Sequence, residues 1–154
     1  MNPLTSTSAQ QTLELGEAVG KGISQGVSIA LIGDLGAGKT TFVQGLAKGL
    51  GISEKTYITS PTYTLINEYP AQTLTLCHLD LYRLGSVEEL EYIGFDDLVD
   101  DTHVIVVEWP GILAEISFQF DLEIRFTFDD HYNRKISVFA SGQSGTNLLS
   151  RLFP

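Results

Sequence analysis

The chain has 154 residues, 43% of them hydrophobic, and its 9 Lys and Arg against 19 Asp and Glu give a formal net charge of −10. That length suits one domain with one substantial core, residues 1–154 together, and is too short for two separate domains. The acidic excess repels a phosphate backbone and argues against tight, direct binding of RNA or DNA by this chain alone.

The one cysteine, Cys77, has no partner for an internal disulfide and sits in an apolar alternation, where it reads as a small buried hydrophobe rather than a reactive thiol. Met1 to Gln10 holds no basic run followed by an apolar core, and nowhere do roughly 18 apolar residues follow one another. The expectation is a soluble, cytoplasmic protein with no membrane partner.

From Ser8 to Gly22, Leu13, Leu15, Ala18 and Val19 mix with Glu14, Glu17 and Lys21 as in a short amphipathic helix, which Gly20, Gly22 and Gly26 are expected to break. Val27 to Ile32 reads as a buried strand, and Lys39 to Leu50 as a helix with Phe42, Val43, Leu46, Ala47 and Leu50 on one face. Thr62 to Tyr69 and Leu74 to Leu81 read as two strands, antiparallel because the connection through Pro70 is short. Ser86 to Leu90 begins like a helix with Ser86 as cap and Glu89 as its capping-box partner, and Phe95 to Val99 is a second short helical piece.

His103 to Glu108 is an apolar run ending in an acid, which suits a central strand covered on both faces. Leu122 to Phe128 and Lys135 to Ala140 alternate around the polar turn Asp129 to Asn133 and signal a hairpin, and Asn147 to Leu152 adds a last helical turn. The fold class that follows is α/β: one domain with a mixed central sheet flanked by helices and a C-terminal β-hairpin.

Between the Val27 strand and the Lys39 helix lies Gly33-Asp34-Leu35-Gly36-Ala37-Gly38-Lys39-Thr40-Thr41, a match to G-x-x-x-x-G-K-[ST] that makes this α/β domain P-loop NTPase-like. In that motif glycines let backbone N–H groups converge on phosphate oxygens, and the helix N-terminus adds its positive dipole. Lys39 then reaches the β- and γ-phosphates and the Thr40 hydroxyl ligates Mg²⁺. A second acid is needed at the end of a neighbouring strand, to hold the metal or orient an attacking water. Two candidates stand at strand ends, Asp80 and Glu108. Ser60-Pro61-Thr62-Tyr63 occupies the place of a γ-phosphate-sensitive loop. Arg83 and Arg134 are candidate cations for the transition state, and Trp109 follows Glu108 directly.

Taken in order and spacing, "GDLGAGKTT", "SPTYTLINEY", "HLDLYRL", "EELEYIGFDDL" and "VVEWP" resemble the bacterial TsaE (YjeE) family, from about Thr12 to Arg134. The resemblance implies a small Mg²⁺-dependent ATPase needed for threonylcarbamoyladenosine in tRNAs that read codons beginning with A. Such a protein works with TsaD and TsaB, meets tRNA only indirectly and does not itself transfer the threonylcarbamoyl group. Carried over by motif, Gly36, Ala37, Gly38, Lys39, Thr40 and Thr41 wrap the phosphates of ATP or ADP, and Thr40 and Glu108 serve Mg²⁺. Asp80 positions the hydrolytic water or the metal shell, Thr12 lies near the adenine, and Arg134 matches a basic position by the nucleotide. The alternatives left open are a small-molecule kinase and a scaffold that binds nucleotide without hydrolysing it.

Overall fold

In the computed structural model, which describes residues 4–154, the chain runs as β1 (Leu4–Ser6), α1 (Ala9–Gly22), β2 (Val27–Ile32), α2 (Lys39–Gly49), β3 (Ile66–Pro70) and β4 (Thr75–Asp80). It continues through α3 (Glu89–Tyr92), α4 (Phe95–Leu98), β5 (His103–Glu108), a 3₁₀ helix (Pro110–Ile116), β6 (Leu122–Phe128), β7 (Arg134–Ala140) and α5 (Gly142–Leu152). Met1 to Pro3, part of the N-terminal segment read above, lies outside the described residues.

The seven strands form one mixed sheet in the order β1-β7-β6-β2-β5-β4-β3. β2 is parallel to β5 and to β6, and β4 is parallel to β5. β3, β7 and β1 add antiparallel edges. As the apolar run of β5 implied, it lies between β2 and β4 with all but its first residue buried. Strand alternation divides the core in two. Leu76, Val104, Val106, Ile29 and Leu31 pack with Phe42, Val43 and Leu46 of α2, whereas Cys77, Leu79, Ile105 and Val107 pack with Leu90, Phe95 and Leu113.

Gly20 and Gly22 do not break α1, which extends through both. The reason is a backbone-to-backbone approach between α1 and α2. A Cβ on Gly16 would stand 2.2 Å from the Phe42 carbonyl oxygen, and one on Gly20 2.4 Å from that of Leu46. Reciprocally, a Cβ on Gly45 would stand 2.0 Å from the Leu13 oxygen, and one on Gly49 2.2 Å from that of Glu17. Glycines spaced four apart on both helices therefore let the pair close to a distance that no other residue permits. Glu17 closes the rim of this contact by pairing with Lys21 and Lys48.

Other differences have local causes. The strand expected from Thr62 begins only at Ile66, because Leu65 takes a left-handed conformation (φ 67°) and donates its N–H to the Pro61 oxygen, closing a turn. The expected capping box at Ser86 does not form. Glu89 instead accepts the N–H of Gly85 at 3.0 Å, and the region is two one-turn helices separated by Gly94 at φ 70°. α5 starts five residues earlier than Asn147, with Gly145 set against the Asp121 carbonyl. β1 and the 3₁₀ helix carry too short a pattern to be read from sequence.

Gly45→Ala should destabilise the protein by about 2 kcal/mol or more in urea unfolding, the overpacking outweighing the better helix propensity of alanine. Gly111→Ala, where nothing lies within 4 Å, should change stability by less than about 0.5 kcal/mol.

Candidate functional site

The parallel strands β2, β5 and β4 end together, and their carboxyl ends are where an open α/β sheet places its ligands. Register does the assembling: Leu31 is opposite Glu108, and Glu108 is opposite Asp80. The loop after β2 is thereby brought beside both acids. The cleft, of about 290 Å³, is lined by Gly36, Gly38, Lys39, Thr40 and Thr41 from the loop and α2, with Asp80, Glu108, Ser60, Thr62, Trp109 and Arg134 around them.

Two glycines shape the loop. Gly36 (φ 81°) and Gly38 (φ 104°) adopt left-handed backbone that other residues resist. A Cβ on Gly36 would meet nothing within 4 Å, so its backbone faces open space. Ala37 turns inward and is 1% exposed. Its carbonyl accepts Arg134 Nε at 3.1 Å, and Arg134 also packs on Gly38. Arg134 is thus a brace for the phosphate loop, set at the start of β7. Lys39 is buried, donates from Nζ to the Gly33 carbonyl and lies 4.4 Å from the centre of the Trp109 ring. Trp109 holds a left-handed conformation (φ 54°) and packs against the Tyr82 ring at 5.1 Å between centroids, the two rings tilted by 57°.

Both acids are nearly buried, at 5% exposure for Asp80 and 4% for Glu108. Asp80 accepts the Tyr82 N–H at 3.1 Å through Oδ1 and the Thr62 hydroxyl at 3.5 Å through Oδ2. Glu108 Oε2 accepts the Ser60 hydroxyl at 3.4 Å and lies 2.9 Å from His78 Nε2. Ser60 and Thr62 are themselves 3.1 Å apart. The "SPT" segment is therefore hooked to both carboxylates at once, so a change at either acid is felt by this loop.

Thr12 is fully buried, bonded through its hydroxyl to Ser6 at 2.7 Å, and backs Gly38 rather than lining the cleft. Arg83 lies over the Tyr63 ring at 4.4 Å and is also outside the cleft lining. His78 was missed in the sequence. Its signal was its place two residues before Asp80 on one strand, which puts both on the same face.

The donor set suits a hard cation: Thr40, Asp80 and Glu108 offer only oxygens. No group of three or more His, Cys, Asp or Glu gathers to hold a metal among the described residues. An ion here would take one or two carboxylates and complete its shell with phosphate and water, the habit of Mg²⁺ rather than of Zn²⁺.

Fold and loop together define a P-loop NTPase-like α/β protein. Residues 6–136 match the model of the family described as threonylcarbamoyl adenosine biosynthesis protein TsaE, and the chain belongs to that family. It is 44% identical over 133 residues to the tRNA threonylcarbamoyladenosine biosynthesis protein TsaE of Treponema pallidum (86% of this chain, 96% of that one). It is 45% identical over 132 residues to the TsaE of a Nostoc species (84% and 80%). The crystal structure of Bacillus subtilis YdiB superposes with a TM-score of 0.78 at 29% identity, covering 97% of this chain and 92% of that one. No helix among the described residues is long and apolar enough to cross a membrane.

Cys77 lies on β4 among these functional residues but faces away from them, into the second core cluster. Burial, aided by nearby Glu68, pushes its thiol up to about 12. At pH 8 the native protein should react with a thiol-specific disulfide reagent far more slowly than the urea-unfolded chain, because the thiolate is the nucleophile. Equal rates would show that Cys77 is open to solvent.

Proposed function

We propose that the protein binds ATP with Mg²⁺, hydrolyses it to ADP and phosphate, and uses the cycle to act on the TsaD and TsaB proteins in threonylcarbamoyladenosine formation on tRNA. The observation that carries this is the pairing of Asp80 with Glu108 across adjacent strand ends, beside a phosphate loop, with Ser60 and Thr62 bonded to both. That arrangement supplies phosphate binding, an oxygen site for a cation and a loop sensitive to both.

In this reading the backbone of Gly36 to Thr41 binds phosphate oxygens at the N-terminus of α2. Lys39 exchanges the Gly33 carbonyl for a phosphate oxygen. Thr40 and Glu108 hold Mg²⁺, which when bound neutralises phosphate charge and polarises the phosphoryl group. Asp80 orients the attacking water, and burial of both carboxylates strengthens their hold on it. When Asp80 changes partners, Thr62 loses its acceptor, so the nucleotide state is passed through the Ser60–Thr62 segment to the adjoining surface. The net charge of −10 agrees with tRNA being reached through partner proteins. The setting of such a reaction is the cytoplasm.

Replacing Lys39 by Ala should weaken ATP binding at least tenfold by calorimetry, since a charge-assisted contact is worth about 1.5–3 kcal/mol. Glu108→Ala should retain binding but lower phosphate release in the presence of TsaD and TsaB by about 10²- to 10⁴-fold. In cells carrying Glu108→Ala in place of the native gene, mass spectrometry of tRNA nucleosides should show threonylcarbamoyladenosine lost. An unchanged level would reject the function, and a phosphorylated small molecule in place of free phosphate would reassign the protein as a kinase.

A further inference from the structure

His78 takes no part in the chemistry above, yet it is fully buried against one of its two carboxylates. β4 sets it on the same face as Asp80, opposite Val106, and so diagonal to Glu108 two residues further along β5. This face packs against α1 and α2, where its strand neighbours are Leu76, Val104 and Val106. An aliphatic side chain would fill such a position without burying a polar ring. His78 Nδ1 shows the cost, as the one buried side-chain nitrogen or oxygen among the described residues with no hydrogen-bond partner.

The same atom assigns the tautomer. Glu108 Oε2, 2.9 Å from Nε2, calls for a proton there. A proton on Nδ1 would be a buried donor with nothing to receive it, which costs more than an idle lone pair. The ring therefore donates from Nε2. Glu108 Oε2 takes this bond and the Ser60 hydroxyl. Oε1 has no hydrogen bond and is not among the buried unpartnered atoms, so it is the oxygen open to the cleft that Glu108 lines.

We propose that His78 is a positioning residue for hydrolysis: by holding Oε2 of Glu108 it aims Oε1 into the cleft. The inference rests on the reading of Glu108 given above. Removing the outer partner of a reacting or metal-binding side chain costs about 10- to 100-fold, because the side chain then samples unproductive rotamers.

The test uses the full chain with TsaD and TsaB. His78→Leu should lower kcat about 10- to 100-fold, with the KM for ATP within about threefold and an unchanged or higher melting temperature. His78→Gln, whose amide nitrogen falls near the position of Nε2, should recover most of the rate. His78→Asn, whose shorter side chain does not reach Glu108, should not. Independently of activity, imidazole ¹⁵N spectra of the nucleotide-free chain should show His78 protonated on Nε2 and bare on Nδ1.

A wild-type rate for His78→Leu, equal rates for the Gln and Asn variants, or a proton on Nδ1 would each overturn the assignment. If His78→Leu fails to fold, the Gln and Asn pair decides. A wild-type rate for Glu108→Ala would instead overturn the reading of Glu108 itself, and is read separately from any His78 variant.

Discussion

The parallel register of β5 between β2 and β4 is the constraint on which the site depends. A slip of one residue would turn Glu108 to the opposite face of the sheet, away from Asp80 and from the phosphate loop. The register is held because β5 is buried on both faces, with Val104 and Val106 packed toward α1 and α2 and Ile105 and Val107 packed toward α3, α4 and the 3₁₀ helix. Hydrophobic burial on two sides thus sets the position of a carboxylate at the strand's end.

The loop opposite those acids is held from behind. α1 and α2 meet along Gly16, Gly20, Gly45 and Gly49, which brings the first turn of α1 against the base of the phosphate loop. Thr12 fills the space behind Gly38, and Arg134 from β7 grips the Ala37 carbonyl. A loop of small residues with open backbone would otherwise sample many conformations, and these contacts remove that freedom before any ligand arrives. The front of the cleft is made differently: Ser60 and Thr62 reach the acids by single hydroxyl contacts of 3.4 and 3.5 Å. The back of the site is rigid and its front weakly tethered.

The strands β2, β4, β5, β6 and β7, the helix after the glycine loop and the candidacy of Lys39, Thr40, Asp80 and Glu108, which line one cleft, were legible because each has a local signature: an apolar run, an alternation, a phosphate-loop spacing, an acid at a strand end. The parts that were not legible lack one. Gly20 and Gly22 look like helix breakers until Gly20 is seen to lie against the backbone of α2 and Gly22 against Leu148 and Leu152 of α5, and Ser86 with Glu89 spells a capping box that the chain spends on Gly85 instead. The contacts of Arg134 with the Ala37 carbonyl and of Thr12 with the back of Gly38 join residues far apart in the chain, and no local pattern announces them.

What the sequence by itself determined is the set of groups on offer: a glycine loop with phosphate-loop spacing, a lysine, a hydroxyl and two strand-end carboxylates, in a chain with a net charge of −10. Those properties are local and follow from residue type and spacing. What only the tertiary structure decided is who touches whom across the chain: Asp80 beside Glu108, Ser60 and Thr62 between them, Arg134 on Ala37, and His78 under Glu108. These are pairings between residues up to 97 positions apart. They arise because burying two apolar cores selects one strand order and one register, and no local pattern encodes that choice.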